Sequence, residues 1–443
     1  MEQLLHYVWK HRLFPLKPLT TTDGLSVEVI DPGLANRNAG PDFFNAKIKL
    51  DGVIWVGNVE IHLRSSDWKR HRHHEDPAYD SVILHVASDI DEPILRSNGE
   101  AIPQMELHYP PFLLEHYEEL IKSDHYPACY KIISSLPKIL LHSWMNTLQT
   151  ERFEQKTQQI QQRLDRCNGD WESALFITLA RNFGFGTNND AFELWAQSVP
   201  LYAVNKHRDD LFQIEAIFFG QAGLLEETSL EKPHPNATGE EQLKTAQKTC
   251  NDEYFLHLQK EYAYLKHKFE LKPSLNYRWK LLRLRPANFP HIRLAQLASL
   301  YHKSEGLLSL LMEAESIDST RKLLKTNTSN YWKTHYTFGE SSPSLTKSLS
   351  NSSIDLLIIN TVVPFLYAYG KHKANPQLMA RASYFLEELK PENNYITRMW
   401  KECGLGATHA GDSQALIQLK KNYCDLKKCL QCRIGFEYFK RRE

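Results

Sequence analysis

Residues 38–86 hold an unusual density of acidic and histidine side chains. The central three are Asp42, Glu60 and His62, and the others are Asp67, His71, His73, His74, Asp76 and His85. Alternate residues of a β-strand point to the same face, so Glu60 and His62 are expected on one side of a strand. Carboxylates that converge at a strand end could hold a hard divalent cation, whose water can attack a phosphodiester.

Short segments rich in β-branched residues predict the strands that position these side chains. They are 25–30, 43–50, 53–63, 81–86 and 102–107. Asp51-Gly52 indicates a two-residue hairpin between the second and third strands, because both positions of that turn require φ > 0. The hairpin would bring Asp42 beside the strand end that carries Glu60. One amphipathic helix is predicted before the strands, over residues 2–13.

Pro41-Asp42, seventeen residues and then Glu60-Ile61-His62 form a pattern that resembles the core of the PD-(D/E)xK nucleases. That family has a helix, a meander of three strands carrying the acidic residues, then a helix and another strand. The resemblance is confined to the β-rich head, residues 1–110. It implies a restriction-endonuclease-like fold in which Asp42 and Glu60 bind Mg²⁺ or Mn²⁺ and His62 occupies the position of the catalytic lysine.

The sequence departs from this family at the lysine and at the second helix. A neutral histidine such as His62 could act as a base or as a metal ligand. Lys47 or Lys49 could supply a displaced lysine, and the family pattern would make Glu2 or Glu28 an accessory acid. A histidine-rich loop stands where the helix after the motif is expected.

Other interpretations of the same residues stay open. His73 and His74 are predicted to contact phosphate, although a loop rich in Lys and Arg is also typical of a solvated turn. Asp42 could serve a turn simply because Asp suits turns. In a competing enzyme model imidazoles are the main ligands of zinc, iron or manganese. Those ligands would be His62, His73 or His74, and His85.

Three cysteines crowd the C-terminus as Cys424-x4-Cys429-x2-Cys432, and Cys403 lies upstream. The CxxC spacing lets two thiolates bind one metal from a tight turn, so these four predict a Zn²⁺ or 4Fe-4S site. The motif is similar to the cysteine loops that staple helical domains in some DNA-repair glycosylases and nucleases. Burial as small apolar side chains is the alternative.

The pattern of apolar residues predicts an α+β protein in three parts. These are a β-rich head (1–110), an α-helical body (111–400) and a C-terminal segment with the cysteine cluster (401–443). Two stretches rich in Pro, Gly, Ser and Thr, 232–241 and 339–353, are expected to interrupt the body. The 53 basic and 53 acidic side chains cancel, so any nucleic-acid contact must use a local patch.

The chain is expected to be cytoplasmic, because no apolar run reaches the roughly 18 residues of a membrane span and the N-terminus lacks a signal peptide. No membrane partner is expected, and the oligomeric state is left open. The segments GPDF, VEIHLRSSDW and CLQC resemble those of an uncharacterised bacterial family.

The predicted function is that of a metal-dependent nuclease-like protein that hydrolyses phosphodiester bonds of nucleic acid. A non-catalytic nucleic-acid-binding or scaffold protein with a degenerate nuclease fold is one alternative. A hydrolase with a histidine-ligated transition metal is the other.

Overall fold

The computed structural model describes residues 1–14, 17–36, 39–226, 251–273 and 277–441. The chain forms two compact units. The first consists of residues 1–144, 403–405 and 419–443, and the second of residues 145–402 and 406–418.

A mixed sheet forms the centre of the first unit. Its strands are β1 (Leu19–Thr20), β2 (Ser26–Asp31), β3 (Leu34–Ala35), β4 (Phe43–Leu50), β5 (Val53–Arg64), β6 (Val82–Asp89) and β7 (Gln104–Glu106). They lie in the order β1-β2-β4-β5-β6-β7, with β3 paired to β4. The strands from β1 to β5 pair antiparallel, whereas β5, β6 and β7 pair parallel. Each of the five predicted strands is present.

The hairpin between β4 and β5 sets the register of the site. Asp51 and Gly52 form its turn with φ values of 44° and 89°, as the Asp-Gly pair predicts. A bulge at Asn45, φ 55°, interrupts the ladder, and beyond it Phe43 pairs with Val59. The register therefore places the residue before Phe43 opposite the residue after Val59.

Helix α1 (Glu2–His11) packs an apolar face on β5. Leu4, Leu5, Val8 and Trp9 are fully buried, which accounts for the helical spacing of these residues in the sequence. The indole Nε1 of Trp9 donates a 3.0 Å hydrogen bond to the Pro32 carbonyl and so ties the helix to the loop after β2.

The crossover from β5 to β6 contains little helix. It consists of α2 (Asp67–Arg70) and the 3₁₀ turns His73–Glu75 and Pro77–Tyr79. The first unit has a helix, an antiparallel meander, a crossover and a parallel strand in that order. This is the order of elements in the PD-(D/E)xK nucleases, but the order alone does not show that the chain is a nuclease.

Trp68 anchors the crossover to the sheet. It is fully buried in a small core with Tyr79, Val82, Ile94 and Ile102. Its indole Nε1 donates a 3.0 Å hydrogen bond to the carbonyl of Leu95.

We therefore expect Trp68→Ala to lower the free energy of unfolding of the first unit by about 3–5 kcal/mol, as for other large-to-small changes in cores. Trp55→Ala is the matched control, because Trp55 is half exposed on β5 and its loss should change stability by about 0.5 kcal/mol or less. Chemical denaturation of both variants measures the difference. Equal effects would show that Trp68 does not anchor the crossover.

Helices make up nearly all the remaining regular structure, so the α+β class and the helical body are confirmed. They are α3 (Pro111–Lys122), α4 (Tyr130–Ile133), α5 (Lys138–Arg166), α6 (Trp171–Phe183), α7 (Asn189–Ser198), α8 (Leu201–Lys206), α9 (Leu211–Gln221), and then Glu253–Phe269, Pro290–Lys303, Leu307–Glu313, Ile317–Leu324, Asn351–Leu357, Val363–His372, Pro376–Glu388, Tyr395–Glu402, Ala410–Leu419 and Arg433–Phe439. One extended apolar core fills the second unit.

The run Asn351–His372 is long and apolar enough to cross a membrane, but 67% of its most apolar window is buried inside the protein. That burial is typical of a core helix. The predicted interruption at 339–353 is irregular up to residue 350, and its Lys347 is buried with Nζ donating to the Trp332 carbonyl. The other, at 232–241, lies outside the described residues.

A carboxyl group is buried in the core of the second unit. Glu215 of α9 is fully buried. Its Oε2 accepts hydrogen bonds from the Tyr254 hydroxyl and, at 3.3 Å, from the Trp332 indole. Burial raises the pKa of Glu215 to about 7, because the charged form loses its hydration.

The raised pKa of Glu215 predicts that the protein loses stability as the pH rises. The unfolded pKa is about 4.3, so the stabilisation is complete below that pH and is lost as the pH rises through 7. Relative to Glu215→Gln, wild type should lose about 3 kcal/mol of unfolding free energy between pH 4.5 and 8.5. Denaturation at a series of pH values measures this, with the exposed Glu387→Gln as control. A pH-independent difference between wild type and Glu215→Gln would contradict it.

Candidate metal centre

Strand β5 sorts its side chains onto two faces. Val59 and Ile61 are buried on one face, and Glu60 and His62 are buried on the other. Alternation along the strand therefore brings a carboxylate and an imidazole together, as the sequence predicts. The parallel pairing of β6 adds His85, which lies beside Glu60 in the register.

Asp42 joins this group through two reciprocal hydrogen bonds. The backbone N–H of Asp42 donates to Glu60 Oε2 at 2.9 Å, and the N–H of Ile61 donates to Asp42 Oδ2 at 3.0 Å. From α1, His6 places Nε2 3.3 Å from the same Asp42 oxygen. The structure thus brings Asp42 and Glu60 together and adds a histidine from the N-terminal helix.

Four imidazoles converge around Glu60. His62 Nδ1 lies 2.9 Å from Nε2 of His85, and its Nε2 lies 3.2 Å from Nδ1 of His71. Glu60 Oε1 is 3.6 Å from Nε2 of His62 and 3.4 Å from Nε2 of His73. His71 and His73 come from the crossover, so the histidine-rich loop closes over the polar face of β5.

These residues fit a single metal ion. One ligand nitrogen each from His62, His71 and His73 lie within 4.8 Å of one another. Donors 2.0–2.1 Å from a tetrahedral ion are roughly 3.3 Å apart, close to the 3.2–3.6 Å separations among these imidazoles and Glu60. Three imidazoles with one carboxylate suit zinc, manganese or iron better than magnesium.

Burial controls the protonation of the buried imidazoles. It lowers the pKa of His62 to about 2, with further lowering from the charges of His85, His73 and His71. Burial likewise lowers the pKa of His85 to about 3. Both rings are therefore neutral near pH 7, the form that coordinates a metal. Burial also raises the pKa of Glu60, although its hydrogen bond with His73 offsets part of that effect.

The cluster is enclosed at its base and open at its mouth. Below, His73 stacks on Tyr79 with ring centroids 3.8 Å apart. At the mouth, His71 is exposed, and Asp42 and His6 keep 24% and 29% of their side-chain surface. His71, Asp42 and His6 are therefore the members of this group that solvent contacts.

Two residues predicted to contact phosphate lie away from these ligands. Nε2 of His74 is 3.4 Å from its neighbour Glu75 rather than beside Glu60. Lys47 is exposed and pairs across the ladder with Val56, which precedes Glu60 by four residues, about 13 Å along a strand.

The accessory acids and the displaced lysine that the nuclease resemblance suggested lie at different distances from the site. Glu28 and Lys49 pair with each other at 3.6 Å on β2 and β4. The charge of Glu2 contributes to the raised pKa of His6, so Glu2 is the nearer of the two candidate acids to the site. His6 was missed in the sequence because a histidine within an amphipathic helix carries no signal of its own. His71 belonged to the noticed cluster, but only the fold separates it from His74.

The four predicted cysteines all lie in the first unit. Cys403 follows the helix Tyr395–Glu402, and Cys424 ends the π-helical turn Lys420–Cys424. Cys429 begins a 3₁₀ turn and Cys432 immediately precedes the helix Arg433–Phe439.

The family model described as "Protein of unknown function (DUF2851)" matches residues 2–395. The chain belongs to this DUF2851 family. The match spans nearly the whole chain, so the resemblance to an uncharacterised family is confirmed, whereas the likeness to nucleases is not. No curated protein and no solved structure matches the chain.

Chelator-treated DUF2851 protein is expected to bind one Mn²⁺ at the head, since thiolates at the cysteines disfavour that ion. His73→Ala should weaken the binding at least tenfold, because it removes one of the converging donors. His74→Ala should leave the affinity unchanged, since its ring faces Glu75. Isothermal titration calorimetry measures both, and equal loss in the two variants would rule out this ligand set.

Proposed function

We propose that the head hydrolyses phosphodiester bonds of nucleic acid with a divalent transition metal held by Glu60, His62, His71 and His73. The observation that carries this proposal is the convergence of three imidazoles and a carboxylate on the polar face of β5. Asp42 lies beside Glu60 at the mouth and completes the acidic pair of the nuclease pattern.

The donor set favours Mn²⁺ over Mg²⁺ among the two ions that the resemblance implies. Imidazole nitrogen suits manganese, whereas magnesium prefers oxygen ligands and retained waters. A divalent ion at such a site supplies Lewis-acid activation of water and of a phosphoryl oxygen. In this proposal His62 is a ligand rather than a base, because both of its nitrogens already face other donors.

Proton transfer falls to His6 and Asp42. Burial opposes a charge on His6, but the carboxylate of Asp42, 3.3 Å from Nε2, outweighs that effect and raises the pKa of His6. A histidine that holds a proton beside a carboxylate can donate that proton to a leaving oxygen. The N–H of Ile61 donates a hydrogen bond to Asp42 Oδ2 and so fixes this carboxylate.

Nucleic acid is the proposed substrate because of the motif spacing and the local charge. The chain has no net charge, so a phosphate backbone would need cations near the proposed metal centre. Arg72 lies exposed between His71 and His73, and His74 is partly exposed next to them. Lys47 is exposed on the face of β4 and β5 that includes Glu60, from which it could contact a longer substrate.

A second candidate is hydrolysis of a different substrate by the same centre. The observation that favours it is the number of imidazoles, since three histidine ligands are more typical of transition-metal hydrolases than of nucleases with two carboxylates. Assays with generic phosphomonoester and ester substrates separate this candidate from the first.

Glu60→Gln should reduce cleavage of labelled DNA or RNA in Mn²⁺ at least a hundredfold, because the neutral amide is a poor metal ligand. The amide oxygen of the introduced glutamine can still accept the hydrogen bond that the Asp42 N–H donates to Glu60 Oε2 in wild type. The fold should therefore survive, as circular dichroism would show. Glu75→Gln, an exposed acid on the same crossover, is the matched control and should cleave normally.

Cleavage by Glu60→Gln at the rate of wild type would remove Glu60 from the mechanism. Nucleic-acid binding by wild type without turnover in Mn²⁺, Mg²⁺ or Zn²⁺ would instead indicate the non-catalytic binding protein. Neither binding nor cleavage of nucleic acid, with turnover of another ester, would support the second candidate.

A further inference from the structure

Helix α5 carries a row of cationic side chains within the second unit. Arg152, Lys156 and Arg163 follow one another at helical spacing, so they lie along one face of the helix. Two adjacent cavities border this face, and Lys156 lines both of them. Arg181 of α6 adds a fourth cation. The two cavities therefore share a wall of positive charge.

The two cavities differ in the side chains that complete them. The polar cavity, between α5, α6 and the π-helical turn Ile358–Val362, includes Gln159, Thr178, Asn182 and Asn360. The apolar cavity beside it includes Phe153, Ile359, Val363 and Leu386. Counting the space that is open to solvent, their volumes are about 270 Å³ and about 230 Å³. A small molecule with one polar end and one apolar end fits this pair of cavities.

One carboxylate serves two of the guanidinium groups. Glu193 of α7 accepts a 2.7 Å hydrogen bond from Arg163 Nε through Oε1, and it accepts another from Arg181 Nη1 through Oε2. Arg181 also pairs with Asp190, but that carboxylate keeps 89% of its side-chain surface and is screened by water. The two guanidinium groups therefore leave excess positive charge beside the polar cavity.

Arg152 and Lys156 have no carboxylate partner of their own. Arg152 donates to neutral amides, from Nε to Gln414 Oε1 and from Nη1 to Gln155 Oε1, both at 3.0 Å. Within the part of the chain that the structure describes, Lys156 Nζ forms no salt bridge and donates no hydrogen bond. Both side chains are partly buried. An ammonium in this position lacks the partner that a buried charge requires.

The electrostatic surroundings of Lys156 favour an anion. Burial lowers the pKa of Lys156 to about 7, because the charged form loses its hydration. The positive charges of Arg152, Arg163 and Arg181 lower it further, and the negative charge of Glu392 offsets part of this effect. An anion bound here would restore the charge of the ammonium and balance the neighbouring guanidinium groups.

Hydrogen bonds fix the wall opposite α5. Asn182 Nδ2 lies 2.9 Å from the carbonyl of Asn360 and 2.8 Å from Thr361 Oγ1. Asn360 Nδ2 donates a 2.6 Å hydrogen bond to Glu392 Oε1, so this carboxylate is engaged by an amide. Asn360 and Thr361 belong to the π-helical turn, a distortion that is frequent at functional sites. The polar cavity is therefore preformed.

We propose that the polar cavity binds the phosphate group of a small phosphate monoester, with the Lys156 ammonium as its central contact. Phosphate oxygens accept strong hydrogen bonds from ammonium and guanidinium groups, which line this cavity. The organic part of the ester lies in the apolar cavity, which adjoins the first at Lys156 and Pro364. This inference concerns the second unit and does not depend on the proposed hydrolase activity of the head.

The test is isothermal titration calorimetry of the full-length protein with phenyl phosphate and with inorganic phosphate. A chelator is present throughout, so that a metal in the head contributes no anion site. Wild type should bind phenyl phosphate more tightly than inorganic phosphate, because only the ester reaches the apolar cavity. Binding of neither anion would overturn the proposal, and equal affinities would refute the role of the apolar cavity.

A charge-removing variant tests the central contact. Lys156→Met keeps most of the apolar stem and should weaken the binding of phenyl phosphate about tenfold, because it removes a charge-assisted hydrogen bond. Lys322→Met, at an exposed lysine of the same unit, is the matched control and should bind as wild type does. Wild-type affinity in Lys156→Met would remove Lys156 from the site.

Lysine acetylation of wild type keeps the proposal testable if Lys156→Met does not fold. Labelling by acetic anhydride is compared by mass spectrometry with and without saturating phenyl phosphate. Acetylation of Lys156 should fall in the presence of the ester, whereas acetylation of Lys322 should stay the same. Unchanged acetylation of Lys156 when phenyl phosphate is bound would place the ester elsewhere and contradict the proposal.

Discussion

The reciprocal hydrogen bonds between Asp42 and the Glu60-Ile61 segment are the contact on which the head depends. They close the β4–β5 ladder beyond the bulge at Asn45, where regular backbone pairing is interrupted. They also hold the Glu60 carboxylate in a buried position that would otherwise leave its charge without partners. A buried charge is tolerated only when it is paired and hydrogen-bonded, so the rest of the site follows from this arrangement.

The buried histidines are subject to the same requirement that buried polar groups have hydrogen-bond partners. Burial keeps His62 and His85 neutral, and each neutral ring needs both a donor and an acceptor partner. Within the described residues, Nδ1 of His85 has no hydrogen-bond partner, so this packing carries a cost. The proposed cation would not relieve this cost, because His85 is outside the set of His62, His71 and His73, but it would account for the close approach of Nε2 of His62 to Nδ1 of His71.

The strand residues and the loop histidines of the head site differ in how far the sequence alone could predict their positions. Strand alternation acts locally, so the order of residues along the chain is enough to place Glu60 and His62 on one face. The Asp-Gly turn brings Asp42 near that end of the strand, but the bulge at Asn45 decides that Asp42 lies opposite Glu60 rather than opposite Ile61. The loop histidines are different, because a 3₁₀ turn decides that His73 faces the sheet and His74 faces Glu75.

The sequence by itself determined the α+β class, the strands of the head, the hairpin turn and the resemblance to an uncharacterised family. Each rests on periodicity, turn chemistry or motif residues that act over a few positions. Only the tertiary structure decided that Asp42 lies opposite Glu60, that His6 lies beside Asp42, and that His71 and His73 close over Glu60. Those contacts join residues distant in the chain, and the burial of Trp68 and of α1 fixes them through packing that no local pattern encodes.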